Sequence, residues 1–284
     1  MTGQTWLITG ASSGLGRAIA EHVLREGDNA VLAARGIDAL RELAAPYPER
    51  ALPVRLDVTD AAQRTAAVEQ ALARFGGIDV LVNNAAVDYV GAIEEQAEAD
   101  YRRTFEVNYF GAVEMIRSVL PGMRARKQGM IVNVSSMDGF ASLPANGFYS
   151  SSKFALEGLT EALWQEIEPI GLSALIVQPG SFRTGIENRT LASGEPIDDY
   201  AATAGAFRSV VHAVTPEMFP GDPARAAKQI WAAVKSANPP HWLILGSDAY
   251  RRMGAKLARF QTEFDANRDV APATDYPHAG TPVL

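Results

Sequence analysis

The chain has 284 residues, 47% of them apolar and 21% charged, with a formal net charge of −7. That length fits one large α/β domain, and the acidic balance argues against a surface built for nucleic-acid phosphates, which needs a basic excess. The absence of cysteine removes disulfides, thiolate nucleophiles and Cys-based metal sites.

The N-terminal M-T-G-Q-T-W-L-I-T-G has no basic segment and no long apolar run, so no signal peptide is expected. No stretch of about 18 apolar residues is present to span a membrane. A cytoplasmic location is the expectation. The first strand, Thr5–Thr9, runs into G-A-S-S-G-L-G, and a helix is predicted over 14–26. Gly10, Gly14 and Gly16 thus sit between a strand and a helix N-terminus, where backbone N–H groups and the helix dipole favour a pyrophosphate. The spacing is not the commoner G-x-G-x-x-G, and a turn tightened for packing also accounts for it.

The second strand, Ala30–Ala34, ends in A-A-R-G. A dinucleotide fold that reads a ribose 2′-hydroxyl carries an acid there. Here Ala34 takes that place and Arg35 follows. An arginine can hold a 2′-phosphate through paired hydrogen bonds, which favours NADP(H) over NAD(H), with NAD(H) still possible. A solvated surface arginine is the plainer alternative. The third strand, Leu52–Leu56, leads into Asp57 and Val58, and a helix follows over 60–75. The fourth, Val80–Asn83, leads into N-N-A-A, Asn83 to Ala86. Polar residues at successive strand ends mark the edge where open α/β sheets bind ligands.

A helix predicted over 100–123 holds Asn108 in its interior, where asparagine is disfavoured. The fifth strand, Met130–Val134, ends in Ser135 and Ser136. A helix over 149–168 then places Tyr149 and Lys153 about one turn apart on one face. The sixth strand, Ser173–Gln178, precedes P-G-S-F-R-T. Residues 185–221 lack clean periodicity and carry many Pro and Gly, as a lid over a binding site does. Asp222 followed by Pro223 starts a helix over 223–236, and Trp242–Leu245 forms a seventh strand. Residues 266–284 read as a surface tail. W-L-I-L-G-S-D-A-Y-R-R-M-G, before it, closes one side of a pocket or makes an oligomer contact; the sequence does not choose. Repeated strand–helix alternation predicts a parallel sheet covered on both faces.

An isolated tyrosine titrates near ~10, too high for easy proton exchange at neutral pH. A lysine ammonium on the same face lowers that value, and a cationic oxidised nicotinamide lowers it further. Ser136 is placed to hydrogen-bond a substrate oxygen. The ordered set T-G-A-S-S-G-L-G, L-D-V, N-N-A-A, Asn108, V-S-S, Y-S-S-S-K and Q-P-G-S-F-R-T resembles the short-chain dehydrogenase/reductase family over about Thr5 to Leu245. The resemblance implies a doubly wound, three-layer α/β/α Rossmann fold in a single domain, with a lid after the sixth strand. It implies an NADP(H)-preferring oxidoreductase that interconverts a carbonyl and an alcohol. Tyr149 would be the general acid and base. Lys153 would tune it and hold the nicotinamide ribose, Ser136 would position the carbonyl, and Asn108 would hold a water that resupplies protons. The cofactor would be contacted by Gly10, Ser12, Ser13, Gly14, Leu15 and Gly16 at the phosphates. Arg35, Asp57, Val58, Asn83 and Ala85 would lie toward the adenine side. Pro179, Gly180, Phe182 and Thr184 would border the nicotinamide end. The family usually has N-N-A-G, so Ala86 is a departure that adds a methyl beside the cofactor.

His22, His212, His241 and His278 form no i, i+4 metal pair, and no metal is expected. A serine-hydrolase reading, which needs a nucleophile, an acid and a histidine in order, is set aside. Leu156, Leu159 and Leu163 read as core or as a dimer face, and a homodimer or homotetramer is the expectation from the family. Glu94, Glu95 and Glu98 read as a solvated helix start. Phe140, Leu143, Phe148, Ile186, Phe207, Val211, Met218 and Phe219 would line an apolar substrate pocket. A nucleotide-binding regulator, or a lyase or epimerase using bound cofactor, are the alternative activities.

Overall fold

Successive side chains of a strand point to opposite faces, so a strand covered on both sides reads as an unbroken apolar run. In β1 (Thr5–Thr9) all five residues are buried, Trp6 and Ile8 in one hydrophobic layer and Leu7 in the other. The computed structural model describes residues 3–185 and 189–276. In chain order the remaining strands are β2 (Asn29–Ala34), β3 (Ala51–Arg55), β4 (Val80–Asn83), β5 (Tyr89–Val90), β6 (Met130–Val134), β7 (Ser173–Pro179), β8 (Leu191–Ala192) and β9 (Trp242–Leu245). Seven of them form one parallel sheet in the order β3-β2-β1-β4-β6-β7-β9, while β5 pairs separately with β8 of the segment 185–221. All seven strands expected from the sequence form, with ends shifted by a residue or so. Pro53, which has no N–H to donate, sits in β3 at the sheet edge.

α1 (Gly14–Arg25), α2 (Asp38–Ala44) and α8 (Pro223–Val234) cover one face of the sheet. α3 (Ala61–Phe75), α5 (Gly111–Arg126) and α6 (Gly147–Ile167) cover the other. Asp222 caps α8 by accepting from Ala224 N–H at 2.8 Å, as expected. Asp28 ties the first layer together. It accepts from Trp6 Nε1 at 3.2 Å, Trp231 Nε1 at 3.0 Å and Lys235 Nζ at 2.7 Å. The chain runs outward from β1 to β3, then returns to β4 on the other side, so the strand order reverses between β1 and β4. A crevice opens there, outside the carboxyl ends of the strands.

Several elements depart from expectation. The helix expected over 100–123 is α4 (Glu98–Phe105), a π turn over Glu106–Phe110, then α5. The π turn holds Asn108, and such turns cluster at functional sites. α2, the lid helix α7 (Ala206–Ala213) and α9 (Ser247–Ala266) were not expected as helices. α9 buries only Ala249 and Met253, while Tyr250, Phe260 and Phe264 stand exposed, so it shows no clear core-facing stripe. The leucine stripe of α6 faces inward: Leu156 and Leu163 are buried, and Leu159 packs against the hydrophobic layer that holds Leu163. Glu95 is not solvated. It is buried, pairs with Arg208 of α7 and accepts from Ile197 N–H at 2.9 Å. Glu94 accepts from Tyr200 Oη at 2.7 Å. Glu94 and Glu95 therefore fasten the segment 185–221, through partners more than a hundred residues away that local sequence could not show. Among the described residues no helix is long and apolar enough to cross a membrane.

Candidate active site

A cleft of about 930 Å³ lies along the carboxyl ends of β1, β2, β4, β6 and β7 and beneath α7. At its first end, Gly10 (φ +69°) and Gly14 (φ +58°) take left-handed conformations that favour glycine. Ser12, Ser13 and Leu15 line the cleft beside them. Ser13, at the N-cap of α1, makes no side-chain capping bond, so the first-turn N–H groups are left for another acceptor. Gly16 lies behind the lining. A Cβ there would stand 2.5 Å from the Gly10 carbonyl oxygen, so this glycine lets α1 pack against the strand end. Arg35 is exposed, borders the cleft, and among the described residues has no hydrogen-bond or ion-pair partner. Asp57 and Val58 line the same end. Asp57 accepts from Thr59 Oγ1 at 2.7 Å and Arg103 Nη2 at 3.2 Å. An uncapped helix N-terminus, a left-handed glycine cradle and a free arginine fit a dinucleotide.

Asn83 lies elsewhere than expected. It is buried within β4, outside the cleft lining, and donates to Asn133 Oδ1 at 2.9 Å; Asn133 in turn donates to Thr160 Oγ1 at 2.8 Å. Strand alternation turns Asn83 inward and leaves Asn84 and Ala85 at the cleft. Asn84 and Ala85 donate their N–H groups to Thr9 Oγ1, fixing the β1–β4 edge.

At the other end β6 delivers Ser136, and α6 presents Tyr149 and Lys153 one turn apart. Ser136 lies on the Tyr149 phenol's side of the cleft, and its Oγ accepts from Asp138 N–H at 3.1 Å. Lys153 is buried. Its Nζ donates to Val134 O at 2.9 Å and stands 5.7 Å from the Tyr149 ring centroid. Burial pushes the Lys153 ammonium down to about 8, opposed by Glu157 and Asp88. The expected lowering of Tyr149 by Lys153 is reversed: burial pushes the phenol up, Asp88 and Asp138 add to this, and Ser136 opposes it. Asn108 does not line the cleft. Its Oδ1 accepts from Val87 N–H at 2.8 Å, and its Nδ2 donates to Val87 O at 2.9 Å and Ser152 Oγ at 3.2 Å. Both amide protons are committed to protein, so the side chain clamps Val87, rather than holding a water by donation.

Pro179, Gly180, Phe182 and Thr184 border this end. Leu143, Phe207, Val211 and Phe219 supply an apolar wall. Phe140 packs under Lys256, Phe148 stacks on Tyr101 with centroids 4.4 Å apart, and Met218 is exposed, so these three do not line the cleft. Ile186 lies outside the described residues, as does the tail beyond 276. The sequence reading also missed residues that the fold brings in: Asp88, Arg103, Asp138, Arg189 and Arg252. Arg252 of α9 pairs with Asp138 and donates through Nε to Ala141 O at 2.8 Å. Arg189 of the lid donates to Ser13 Oγ and to Thr184 O. None of these belongs to a local motif.

One turn beyond Lys153, Glu157 accepts from Ser135 Oγ at 2.5 Å and Gln178 Nε2 at 2.9 Å. Burial pushes its carboxyl up to about 7. A raised folded-state value means the native state binds more protons than the unfolded chain between about 4.5 and 7, so this group costs stability as pH rises through that window. Glu157→Gln is expected to remove this component. In thermal melts from pH 5 to 7.5, its Tm should gain on the wild type with rising pH; parallel curves would sink the assignment.

The fold is an α/β fold whose glycine-turn end of the cleft fits a dinucleotide, with Ser136, Tyr149 and Lys153 at the other end of the same cleft. Comparison with known proteins agrees. The short chain dehydrogenase family model matches residues 4–193. The chain is 36% identical over 247 residues to a 3-ketodihydrosphingosine reductase of Bacteroides thetaiotaomicron, covering 84% of this chain and 87% of that protein. A short-chain dehydrogenase from Streptomyces avermitilis superposes with a TM-score of 0.88 at 41% identity, over 96% of this chain and 100% of the other. A Burkholderia phymatum short chain dehydrogenase/reductase in complex with NAD superposes with a TM-score of 0.79 at 26% identity, over 98% of each chain. The chain belongs to the short-chain dehydrogenase/reductase family. It is an oxidoreductase of CH–OH and carbonyl groups that uses a nicotinamide cofactor.

Proposed function

We propose that the protein is an NADP(H)-dependent carbonyl reductase acting on a mostly apolar small molecule, with Tyr149 as proton donor. One observation carries the reading: a single cleft holds Ser136, Tyr149 and Lys153 at one end and the partner-free Arg35 at the other. The glycine turn and the α1 N-terminus would hold the pyrophosphate, Arg35 the 2′-phosphate, and Lys153 the nicotinamide ribose. When bound, the reduced nicotinamide supplies the hydride for the substrate carbon. Ser136 orients the substrate oxygen, and Tyr149 gives that oxygen its proton. Burial and the two nearby acids keep the phenol protonated, the state that carbonyl reduction needs. The lid, fastened by Glu94 and Glu95, excludes water from the proton transfer. Phe110 and Phe154 stand exposed beside α5 and on α6, which supports pairing of copies through these helices.

The test is NADPH and NADH oxidation, followed by absorbance, with a panel of apolar ketones and aldehydes. The reductase reading expects turnover, faster with NADPH. Tight NADPH binding without turnover of any panel member would favour a nucleotide-binding regulator instead.

A further inference from the structure

Asp88 is a half-buried acid at the reacting end, to which the mechanism above gives only an electrostatic effect on the Tyr149 phenol. It follows Val87, whose N–H and carbonyl are both clamped by Asn108, so its backbone is fixed at the cleft wall. Its own carbonyl accepts from Leu191 N–H at 3.1 Å, at the start of the β5–β8 pair. Thr190 Oγ1 donates to Oδ2 at 3.2 Å. Oδ1 is shielded from solvent and has no partner among the described residues. The other acid nearby, Asp138, is answered by Arg252. Among the described residues Asp88 pairs with no arginine. The surrounding wall is apolar, with Leu143, Phe207 and Val211 lining the same cleft. A carboxylate oxygen shielded without a donor is costly, and such groups are normally hydrogen-bonded. In a cleft beside the reacting tyrosine, the missing donor is one that a ligand can bring.

We propose that Asp88 recognises the substrate: Oδ1 accepts a hydrogen bond from a hydroxyl or ammonium group carried close to the reacting carbonyl. This rests on the reductase reading and narrows it. The substrate class becomes an apolar ketone bearing a neighbouring hydrogen-bond donor, such as a hydroxy- or amino-ketone. Ser136 and Tyr149 take the carbonyl oxygen, Asp88 takes the second polar group, and the apolar wall takes the chain. A site built around a buried acceptor discriminates strongly against an analogue that lacks the donor.

The experiment compares a medium-chain ketone with its α-hydroxy and α-amino derivatives, on wild type, Asp88→Asn and Asp88→Ala, with NADPH. The readout is the ratio of kcat/KM values within each protein, which cancels differences in folded fraction. Wild type is expected to prefer the donor-bearing ketones by roughly tenfold or more. In Asp88→Ala the ratio falls toward one. Asp88→Asn keeps the preference for the hydroxy-ketone and loses it for the cationic amino-ketone, which identifies the donor. Equal use of all three ketones by wild type overturns the proposal and leaves the reductase reading standing. So does an unchanged ratio in Asp88→Ala, even with a uniform fall in kcat, which would assign Asp88 to the electrostatics of Tyr149. Failure to reduce any ketone while NADPH binds, seen by fluorescence, overturns both.

Discussion

Tyr149→Phe lowers kcat for ketone reduction by roughly 10²–10⁴-fold, the range that a positioned proton donor contributes. The substitution removes one oxygen and keeps the ring that faces Lys153. Ser136 keeps its contacts with Asp138. Cofactor affinity should therefore change little, and fluorescence titration with NADPH checks it. The two readouts together isolate the proton. A Tyr149→Phe protein with near-normal kcat would remove Tyr149 from the chemistry and leave Ser136 or a water as donor. Lost NADPH binding would instead show that the phenol matters for the cofactor.

Arg35→Asp shifts cofactor choice. Wild type is expected to favour NADPH, and the variant to favour NADH, with a change of about 100-fold in the ratio of kcat/KM values. That is about 2.7 kcal/mol, the scale of a charge-assisted hydrogen-bond pair lost together with added like-charge repulsion. The position supports this size. Arg35 is exposed at the cleft border and among the described residues pairs with no acid, whereas nearby Arg103 is committed to Asp57 and Thr59. An aspartate at 35 would also put an acid near the end of β2, where a ribose hydroxyl is read. Both ratios unchanged would show Arg35 to be a solvated surface residue, and selectivity would have to come from Arg189 or the serines of the glycine turn.

The particular errors of the sequence reading have a common physical origin. Asn83 and Asn84 look alike as N-N, yet strand alternation buries the first and turns the second to the edge. Asn108 stands out in a helix interior, but its clamp on Val87 depends on a loop 21 residues earlier. Tyr149 and Lys153 share a face as their spacing dictates. Which way the phenol shifts depends first on its burial in the folded cleft, to which Asp88 and Asp138 add.

The sequence by itself determined the alternating strands and helices, the parallel sheet, the glycine turn, and the Ser136, Tyr149 and Lys153 group. These follow from short-range rules: side-chain periodicity, glycine conformation and the one-turn spacing of a helix. Only the tertiary structure decided the rest. The segment 185–221 is fastened by Glu95 and Arg208, α9 contributes Arg252 to Asp138, and Asp88 is left with a shielded oxygen in the cleft. Each of these depends on packing between segments far apart in the chain, where no local pattern carries the information, and burial then sets the charge and the unmet hydrogen bonds of the site.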